Sequence, residues 1–426
     1  MQNGTPPASD EADEPAVVDD TVAPEVVPLV EPADGVPAVI DTPSALAEAV
    51  ARFAAGTGPV AVDAERASGY RYGQRAYLVQ LRREGAGTAL VDPAALPDLS
   101  SLSEALTGVE WVLHAASQDL PCLAEVGLRP SRVFDTELAA RLLGFERVGL
   151  AAVVAQVLGL GLAKEHSAVD WSTRPLPIDW LRYAALDVEV LVELRDRLAE
   201  QLALAGKAVW AAQEFDSERT APPRPARVDP WRRISGLHTV RDRRRLAVAR
   251  ELWETREQNA QQRDISPGRV LPDRAIVAAA VALPRTVPQM VALPEFSGKG
   301  QSRRAPLWQA AVDRALGLPE AELPTLRGPH TDAPPPPRTW SERDPAAADR
   351  LVAVRAVVTE LCEQWAVPPE NLLQPDLLRR LCWSPPAEVD TGSVGAFLLA
   401  GGARPWQVEL LAGIFADVLT ATVGDG

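Results

Sequence analysis

The sequence predicts an α/β domain with a mixed sheet, followed by two all-α domains. Short apolar runs alternate with stretches of helical periodicity up to about residue 215, which is typical of an α/β fold. Strand patterns end at a proline-rich linker, 221–226, and a second proline-rich stretch, 332–338, divides the helical sequence in two. A chain of 426 residues is also too long for one hydrophobic core.

The expected domain boundaries follow these breaks. Residues 1–36 hold nine acidic residues and no basic residue and have no regular periodicity, as in a disordered acidic tail. We therefore expect a disordered tail at 1–36, an α/β domain at 37–215, a linker at 216–230, a helical domain at 231–315, a proline-rich linker at 316–339 and a second helical domain at 340–422.

Within the α/β domain, the period of the apolar residues predicts the individual elements. Alternating apolar residues predict strands at 60–64, 76–81, 89–92 and 111–115. Helical periodicity predicts helices at about 43–55, 117–126, 135–143, 149–157 and 178–203.

The two helical domains share a sequence pattern. Each contains a long stretch of helical period, then a proline-containing turn, then a Pro-Asp pair. The aspartates of these pairs, Asp273 and Asp376, are 103 positions apart. The pattern indicates a diverged duplication of one helical module.

The net charge of −15 is unevenly distributed. Residues 231–315 hold 16 basic and 8 acidic residues, whereas residues 340–426 hold 6 basic and 12 acidic residues. The positive segment predicts a polyanion-binding domain, although a solvated arginine-rich helical surface would give the same composition. The candidate phosphate-binding residues in it are Arg232, Arg233, Arg241, Arg243, Arg244 and Arg245.

Four acidic residues and a tyrosine are the candidate catalytic residues. Asp63 and Glu65 lie two apart in a strand pattern, so they project from one face of the sheet. Asp119 follows the strand at 111–115, and Tyr183 and Asp187 are four apart in a helical stretch, so that pair also shares a face.

Clustering of these four carboxylates would require cations. Two carboxylates about 4 Å apart repel by roughly 4 kcal/mol at an effective dielectric constant near 20. Ligand sets made only of oxygen favour Mg²⁺ or Mn²⁺, and two such cations suit phosphoryl transfer. Taken singly, each aspartate could instead be a solvated surface group or a helix cap.

These segments resemble the tyrosine-type subgroup of the DEDD exonuclease superfamily, and within it the bacterial ribonuclease D family. The motifs that carry the resemblance are Asp63 with Glu65, His114 to Asp119 with Phe134-Asp135-Thr136, and Asp170-Trp171-Ser172-Thr173-Arg174-Pro175-Leu176 followed by Tyr183 and Asp187. Residues 231–315 look like an HRDC domain, an auxiliary nucleic-acid-binding unit, and residues 340–422 resemble it more loosely.

The resemblance implies a ribonuclease-H-like catalytic fold and a metal-dependent 3′→5′ exoribonuclease. Such an enzyme releases nucleoside monophosphates from RNA 3′ ends, and tRNA 3′ maturation is among the known work of the family. The resemblance also implies that Asp63, Glu65, Asp119 and Asp187 hold two Mg²⁺ or Mn²⁺ ions and that Tyr183 orients the attacking water. One position departs from the family pattern, because Arg66 follows Glu65 where the family has an apolar or aromatic residue.

Several neighbouring residues have two interpretations each. Lys164 is placed to contact the substrate phosphate or is a flexible surface lysine, and His114 is a substrate-binding candidate or a core histidine. Asp135 and Thr136 cap the next helix or support a metal ligand. We expect Trp171 to stack on Arg174 in a structural corner, and Trp231 and Trp253 to lie in a core.

Three functions remain open from the residues alone: an exoribonuclease, a DNA 3′→5′ exonuclease and a nonenzymatic RNA-binding scaffold. We expect RNA as the partner, a monomer, and a cytoplasmic location. The sequence has no apolar run of about 18 residues and no basic segment typical of a signal peptide. Its three cysteines, Cys122, Cys362 and Cys382, lack a metal-ligand spacing and are expected to be reduced.

Overall fold

A mixed six-stranded sheet is the centre of the α/β domain in this computed structural model, which describes residues 26–162, 166, 168–223, 225–328 and 332–424. The sheet order is β2-β5-β4-β3-β6-β7, and a separate pair is formed by β1 and β8. The strands are β1 (Val27–Leu29), β2 (Val39–Ile40), β3 (Thr57–Arg66), β4 (Ala76–Glu84), β5 (Gly87–Val91), β6 (Glu110–Leu113), β7 (Arg132–Asp135) and β8 (Leu160–Leu162).

Eight helices belong to the described part of the α/β domain, and eleven follow in the rest of the described chain. The first group is α1 (Pro43–Ala55), α2 (Ser100–Ala105), α3 (Leu120–Glu125), α4 (Thr136–Leu142), α5 (Leu150–Leu158), α6 (Ile178–Glu189), α7 (Leu191–Leu204) and α8 (Ala208–Thr220). The first helical domain contains α9 (Arg243–Arg263), α10 (Pro267–Val270), α11 (Asp273–Ala282), α12 (Val287–Val291) and α13 (Lys299–Gly317). The second helical domain contains α14 (Trp340–Arg343), α15 (Pro345–Trp365), α16 (Pro369–Leu372), α17 (Pro375–Trp383), α18 (Thr391–Ala400) and α19 (Pro405–Gly424).

The central strand β3 is antiparallel to β4 and parallel to β6, which confirms the predicted mixed sheet. Its side chains alternate between two apolar layers because successive residues of a strand point to opposite faces. Val60, Val62 and Ala64 pack in a core with α1, α2 and α3. Ala61 faces the other side, where it packs with residues of α6 and α7, and Asp63 and Glu65 lie on that same face.

The predicted helix at 178–203 is wrong in one respect, because the chain forms two helices that meet at Val190. The break lets α6 pack across β3, β4 and β5 while α7 packs on β3, β6 and α4. A straight helix could not cover both halves of a twisted sheet in this way.

Two predicted boundaries also need correction. The expected disordered tail does not include residues 26–36, because β1 pairs with β8 and Glu31 forms an ion pair with Arg182 at 2.8 Å. Residues 1–25 lie outside the described residues. The expected linker at 216–230 is helical up to Thr220, because Phe215 anchors α8 against Phe134 with ring centroids 4.7 Å apart.

The two helical domains have the same order of elements, as the proposed duplication requires. Helices α9 and α15 each contain 21 residues, and each begins at an aspartate, Asp242 or Asp344, whose side chain accepts a backbone N–H of the first turn. Each helix ends at a left-handed residue, Asp264 or Ala366, and a four-residue helix and a longer helix follow. The two domains are therefore variations on one module.

The second helical domain shares one hydrophobic core with the α/β domain. Trp210 of α8 stacks on Trp406 with ring centroids 4.4 Å apart, and Arg404 pairs with Glu214 at 2.6 Å. The backbones also approach closely: at Gly144, where φ is +78°, a Cβ would lie 2.6 Å from the carbonyl oxygen of Ala366.

The first helical domain has a core of its own, to which the α/β domain adds Tyr72. Trp231 is buried in this core and Trp253 packs against it, as predicted for both tryptophans. The domain contacts the α/β domain through residues 67–75, the loop after β3: the Ser266 N–H donates to Tyr70 and the Arg269 side chain donates to Gly69. None of the described helices has the length and apolar character needed to cross a membrane.

Candidate active site

Three of the predicted acids meet at the end of β3. Oxygen atoms of Asp63, Glu65 and Asp187 all lie within 4.8 Å of one another. Strand β3 supplies the first two from one face, and α6, packed across that face, supplies the third. Among the described residues, these three form the cluster of possible metal ligands.

Asp119 lies beside this group and contacts a basic partner. It follows a short 3₁₀ turn, Ala116–Gln118, at the end of β6, and its side chain is buried. Its Oδ1 atom is 3.4 Å from Nη2 of Arg66. It makes no capping hydrogen bond to α3, so the helix-cap interpretation does not apply.

Burial raises the pKa of all four carboxyl groups in the absence of cations, and repulsion by neighbouring carboxylates adds to the rise at Glu65, Asp187 and Asp119. Burial and the charges of Asp63, Asp187 and Asp119 raise the pKa of Glu65 well above its usual value. Burial and the charge of Asp63 raise the pKa of Asp187 in the same way, and the pKa of Asp119 to about 8. A buried set of oxygen donors that repel one another fits hard divalent cations, which would replace the bound protons.

Tyr183 lies one helical turn before Asp187 on α6. Burial and the charges of Asp187 and Glu65 raise the pKa of the Tyr183 phenol. The hydroxyl therefore stays protonated at neutral pH and can hydrogen-bond a water molecule beside the carboxylates.

Gln80 is a site residue that the sequence did not reveal. It lies directly opposite Asp63 in the β3–β4 register, is fully buried, and donates from Nε2 to Asp63 Oδ2 at 3.1 Å. Its Oε1 atom is a buried polar atom without a partner among the described residues. A glutamine inside an apolar strand was the available signal, but only the strand register shows which residue it faces.

The loop that carries Asp119 is held by two further acids. Asp135 accepts the backbone N–H groups of Ala115 and Ala116 and also caps α4, as the capping interpretation expected. Glu218 of α8 accepts the N–H of Ser117 at 3.0 Å. Burial and the Asp135 carboxylate raise the pKa of Glu218 to about 8. The sequence interpretation missed Glu218 because it placed this residue in a linker.

Comparisons with known proteins agree with this geometry. Family models match residues 37–203 as a 3′-5′ exonuclease, 245–312 as an HRDC domain, and 333–419 as a 3′ to 5′ exonuclease C-terminal domain. Ribonuclease D of Nitrobacter hamburgensis is 32% identical over 305 residues, which are 70% of this chain and 73% of that protein. Ribonuclease D of Jannaschia sp. is 32% identical over 335 residues, 74% of this chain and 81% of that protein. The chain belongs to the ribonuclease D family.

Solved structures extend the likeness along the chain. A crystal structure of a protein from Bifidobacterium adolescentis matches with a TM-score of 0.84 and 40% identity, covering 94% of this chain and all (100%) of that one. Escherichia coli ribonuclease D, described as an exoribonuclease involved in structured RNA processing, matches with a TM-score of 0.65 and 25% identity over 90% and 98%. As a member of this family with an RNase H-like domain and an acidic centre, the chain is a 3′→5′ exoribonuclease.

His114 contacts the first residue of α4. Its Nδ1 atom is 2.9 Å from the hydroxyl of Thr136, which in turn donates to the carbonyl of Leu113. Burial lowers the pKa of His114. These contacts favour the core interpretation over substrate binding.

The corner at Asp170 to Arg174 is structural, but the expected stacking of Trp171 on Arg174 is wrong. The Arg174 guanidinium instead donates two hydrogen bonds of 2.6 Å to the carboxylate of Asp92. Trp171 packs edge-on against Trp180 of α6 with ring centroids 5.5 Å apart. The tryptophan pair therefore fixes the helix that carries Tyr183.

Lys164 lies outside the described residues, so its contacts stay a prediction. Close to it in sequence, His166 places its ring edge-on to Tyr183, with centroids 6.0 Å apart. The sequence offered no signal for His166, because a single histidine in a polar stretch has no periodic context.

The six arginines of the first helical domain fall into two groups. Arg232 pairs with Asp229, Arg243 with Glu320, and Arg244 donates to carbonyls at the end of α13 and is 3.6 Å from Glu320. These three groups hold the domain together, which argues against their use for phosphate. The other group consists of arginines that form no ion pair with any described residue: Arg233, Arg241 and Arg245.

Proposed function

We propose that this exoribonuclease trims the 3′ ends of structured RNA, with tRNA precursors as its main substrates, and uses two divalent cations. The meeting of Asp63, Glu65 and Asp187, with Asp119 beside them, carries the proposal. The family and the named activity of E. coli ribonuclease D on structured RNA support the substrate class.

The four acids would hold the cations, Mg²⁺ or Mn²⁺. When bound, such cations lower the pKa of a water molecule and stabilise the charge that develops on the departing 3′ oxygen. Tyr183 would orient the attacking water through its hydroxyl, and Gln80 would keep Asp63 in place through the hydrogen bond from Nε2. Addition of water to the terminal phosphate breaks its bond to the 3′ oxygen, which takes up a proton, and releases a nucleoside 5′-monophosphate.

We also propose that RNA contacts the first helical domain through Arg233, Arg241 and Arg245. Contacts of arginine with phosphates give affinity without sequence readout, and affinity of this kind weakens with salt. The three free cysteines and the proposed RNA substrate support a cytoplasmic location. We also propose that the enzyme acts as a monomer, and light scattering after gel filtration would check its mass.

The test is incubation of the purified chain with end-labelled tRNA precursor and with DNA of the same sequence, with and without Mg²⁺ or Mn²⁺. We expect stepwise shortening of the RNA from its 3′ end, only when a cation is present. Asp63→Asn should abolish nucleotide release and leave RNA binding largely intact, because it removes a cation ligand and no RNA contact. Faster shortening of DNA than RNA would favour the DNA exonuclease, and an active Asp63→Asn variant would overturn the site assignment.

A further inference from the structure

Arg66 places a positive charge inside the acidic site. It follows Glu65 at the end of β3, and its side chain is 24% exposed. Nη1 donates to the carbonyl of Gln118 at 2.8 Å, and Nη2 lies 3.4 Å from Asp119 Oδ1.

Asp119 is divided between two partners, the acidic group and Arg66. Asp63, Glu65 and Asp187 offer oxygens close enough to share one cation, whereas Asp119 faces the guanidinium. The charge of Asp63 still contributes to the raised pKa of Asp119, and the charge of Arg66 opposes that rise. Asp119 is thus near enough to join the ligands but is held by a positive group of the chain itself.

The backbone around Asp119 is fixed, so only its side chain can change partner. Asp135 holds Ala115 and Ala116, Glu218 holds Ser117, and the carbonyl of Asp119 accepts a hydrogen bond from Cys122. Movement of Asp119 from Arg66 toward a cation therefore requires a side-chain rotation and no loop rearrangement.

We propose that Arg66 is a positioning residue that stands in for the second cation, so that the first cation binds to Asp63, Glu65 and Asp187 and the second must displace the Arg66 guanidinium from Asp119. This inference rests on the proposed two-cation function. The two positive groups compete for one carboxylate, so Arg66 lowers the affinity of the second site more than that of the first, where its charge also acts on Asp63 and Glu65.

The test is calorimetric titration of the full chain with Mn²⁺ in the absence of RNA, with the magnetic coupling of paired Mn²⁺ ions followed by electron paramagnetic resonance. Arg66→Gln should bind the second Mn²⁺ about tenfold more tightly, with a smaller change at the first site, because the competing charge is gone. Arg66→Lys keeps the charge and should bind the second ion as the parent chain does. Arg132→Gln is the matched control, since it removes an arginine paired with Glu110 at 3.2 Å on an edge strand.

A purely structural role for Arg66 predicts a different result. Loss of the hydrogen bond to the Gln118 carbonyl would lower the melting temperature of Arg66→Gln without tightening the second site. Equal or weaker second-site binding in a folded Arg66→Gln variant overturns the proposal. In the Arg66→Gln, Asp119→Asn double variant the tightening should disappear, because the contested carboxylate is absent.

If Arg66→Gln does not fold, the parent chain still decides the matter. The arginine Nε signal that is lost in Arg66→Lys identifies Arg66 in nuclear magnetic resonance spectra. It should shift more with the second equivalent of Mg²⁺ than with the first, and a larger shift with the first equivalent, or no shift at all, contradicts the proposal. Absence of cation binding by the parent chain would instead reject the proposed function itself.

Discussion

The two helical domains show how one module can serve two different ends. The second is joined to the α/β domain by a common core in which Trp210, Trp365 and Trp406 pack together. The first keeps a separate core and touches the α/β domain mainly through polar contacts of the loop at 67–75. The second helical domain, which is negatively charged, thus packs as one unit with the α/β domain. The first helical domain, which is positively charged, is a separately folded domain that contacts the loop after β3.

The difference between the interfaces lies in burial more than in the number of ion pairs. At the interface with the second helical domain, the side chains of Arg404 and Glu214 are 16% and 7% exposed, and Glu214 also accepts a hydrogen bond from the Trp406 indole. At the interface with the first helical domain, the side chains of Arg71 and Asp264 are 39% and 46% exposed, and their charged atoms are 3.7 Å apart. Buried pairs are costly to break, whereas exposed pairs contribute little.

The largest effect is expected from Trp406→Ala. Removal of this buried indole should cost about 4 kcal/mol and lower the unfolding transition of the α/β domain together with that of the second helical domain. The matched variant Trp308→Ala, in the core of the first helical domain, should destabilise that domain alone. Calorimetry combined with cleavage of a short RNA checks this, and equal losses of activity in both variants would remove the distinction.

Next in size is Glu214→Ala, which leaves Arg404 buried without its partner. We expect a loss of about 3 kcal/mol in the free energy of unfolding. Asp264→Asn at the other interface should cost less than about 1 kcal/mol, because its ion pair is exposed and asparagine tolerates the left-handed backbone. Chemical denaturation of both variants measures the difference, and similar midpoints for the two would contradict it.

In the absence of cations, pH should affect the stability of the α/β domain more than the stability of the first helical domain. The pKa of Asp119 is raised from 3.8 to about 8 in the folded chain, so the folded state binds more protons than the unfolded state between these values. The α/β transition should therefore lose stability as pH rises from about 4 to about 8. Mn²⁺ at pH 8 should restore the stability, since it binds only the folded site. The transition of the first helical domain, which contains none of these acids, should change less across that range.

The smallest effect concerns RNA affinity. Alanine at Arg233, Arg241 or Arg245 should each reduce the slope of log affinity against log salt by about 0.7 if that residue contacts a phosphate of single-stranded RNA. Arg343→Ala, at an exposed arginine of the acidic domain, is the control and should leave the slope unchanged. Fluorescence anisotropy at several salt concentrations measures the slopes. If Arg343→Ala reduced the slope as much as the other three substitutions, both helical domains would have to contact RNA.

Local periodicity predicted the parts of this site that depend on one element. The strand pattern placed Asp63 and Glu65 on one face, and the helical spacing placed Tyr183 beside Asp187. Local periodicity did not reveal the site residues whose contacts are made with residues distant in sequence. Gln80 is recognised only from the register of β3 and β4, and Glu218 only from the packing of α8 on the Asp119 loop.

The same reason explains the missed strands and the arginine cluster. Strand β7 has four residues and runs directly into α4, so its alternation is too short to be seen beside the helical pattern. Strand β1 is ordered by pairing with β8, more than a hundred positions away. Arg244 bonds to carbonyls at the end of α13, a partner that composition cannot reveal.

The contact between Gly144 and Ala366 has a consequence for grafting experiments. Because no side chain fits at position 144, a second helical domain transplanted from a relative will seat only where the recipient keeps glycine there and the donor keeps a tight backbone turn opposite. The first helical domain has a separate core and meets its neighbour through a surface loop, so it is the more portable of the two. Chimeras should therefore tolerate a foreign first helical domain far better than a foreign second helical domain.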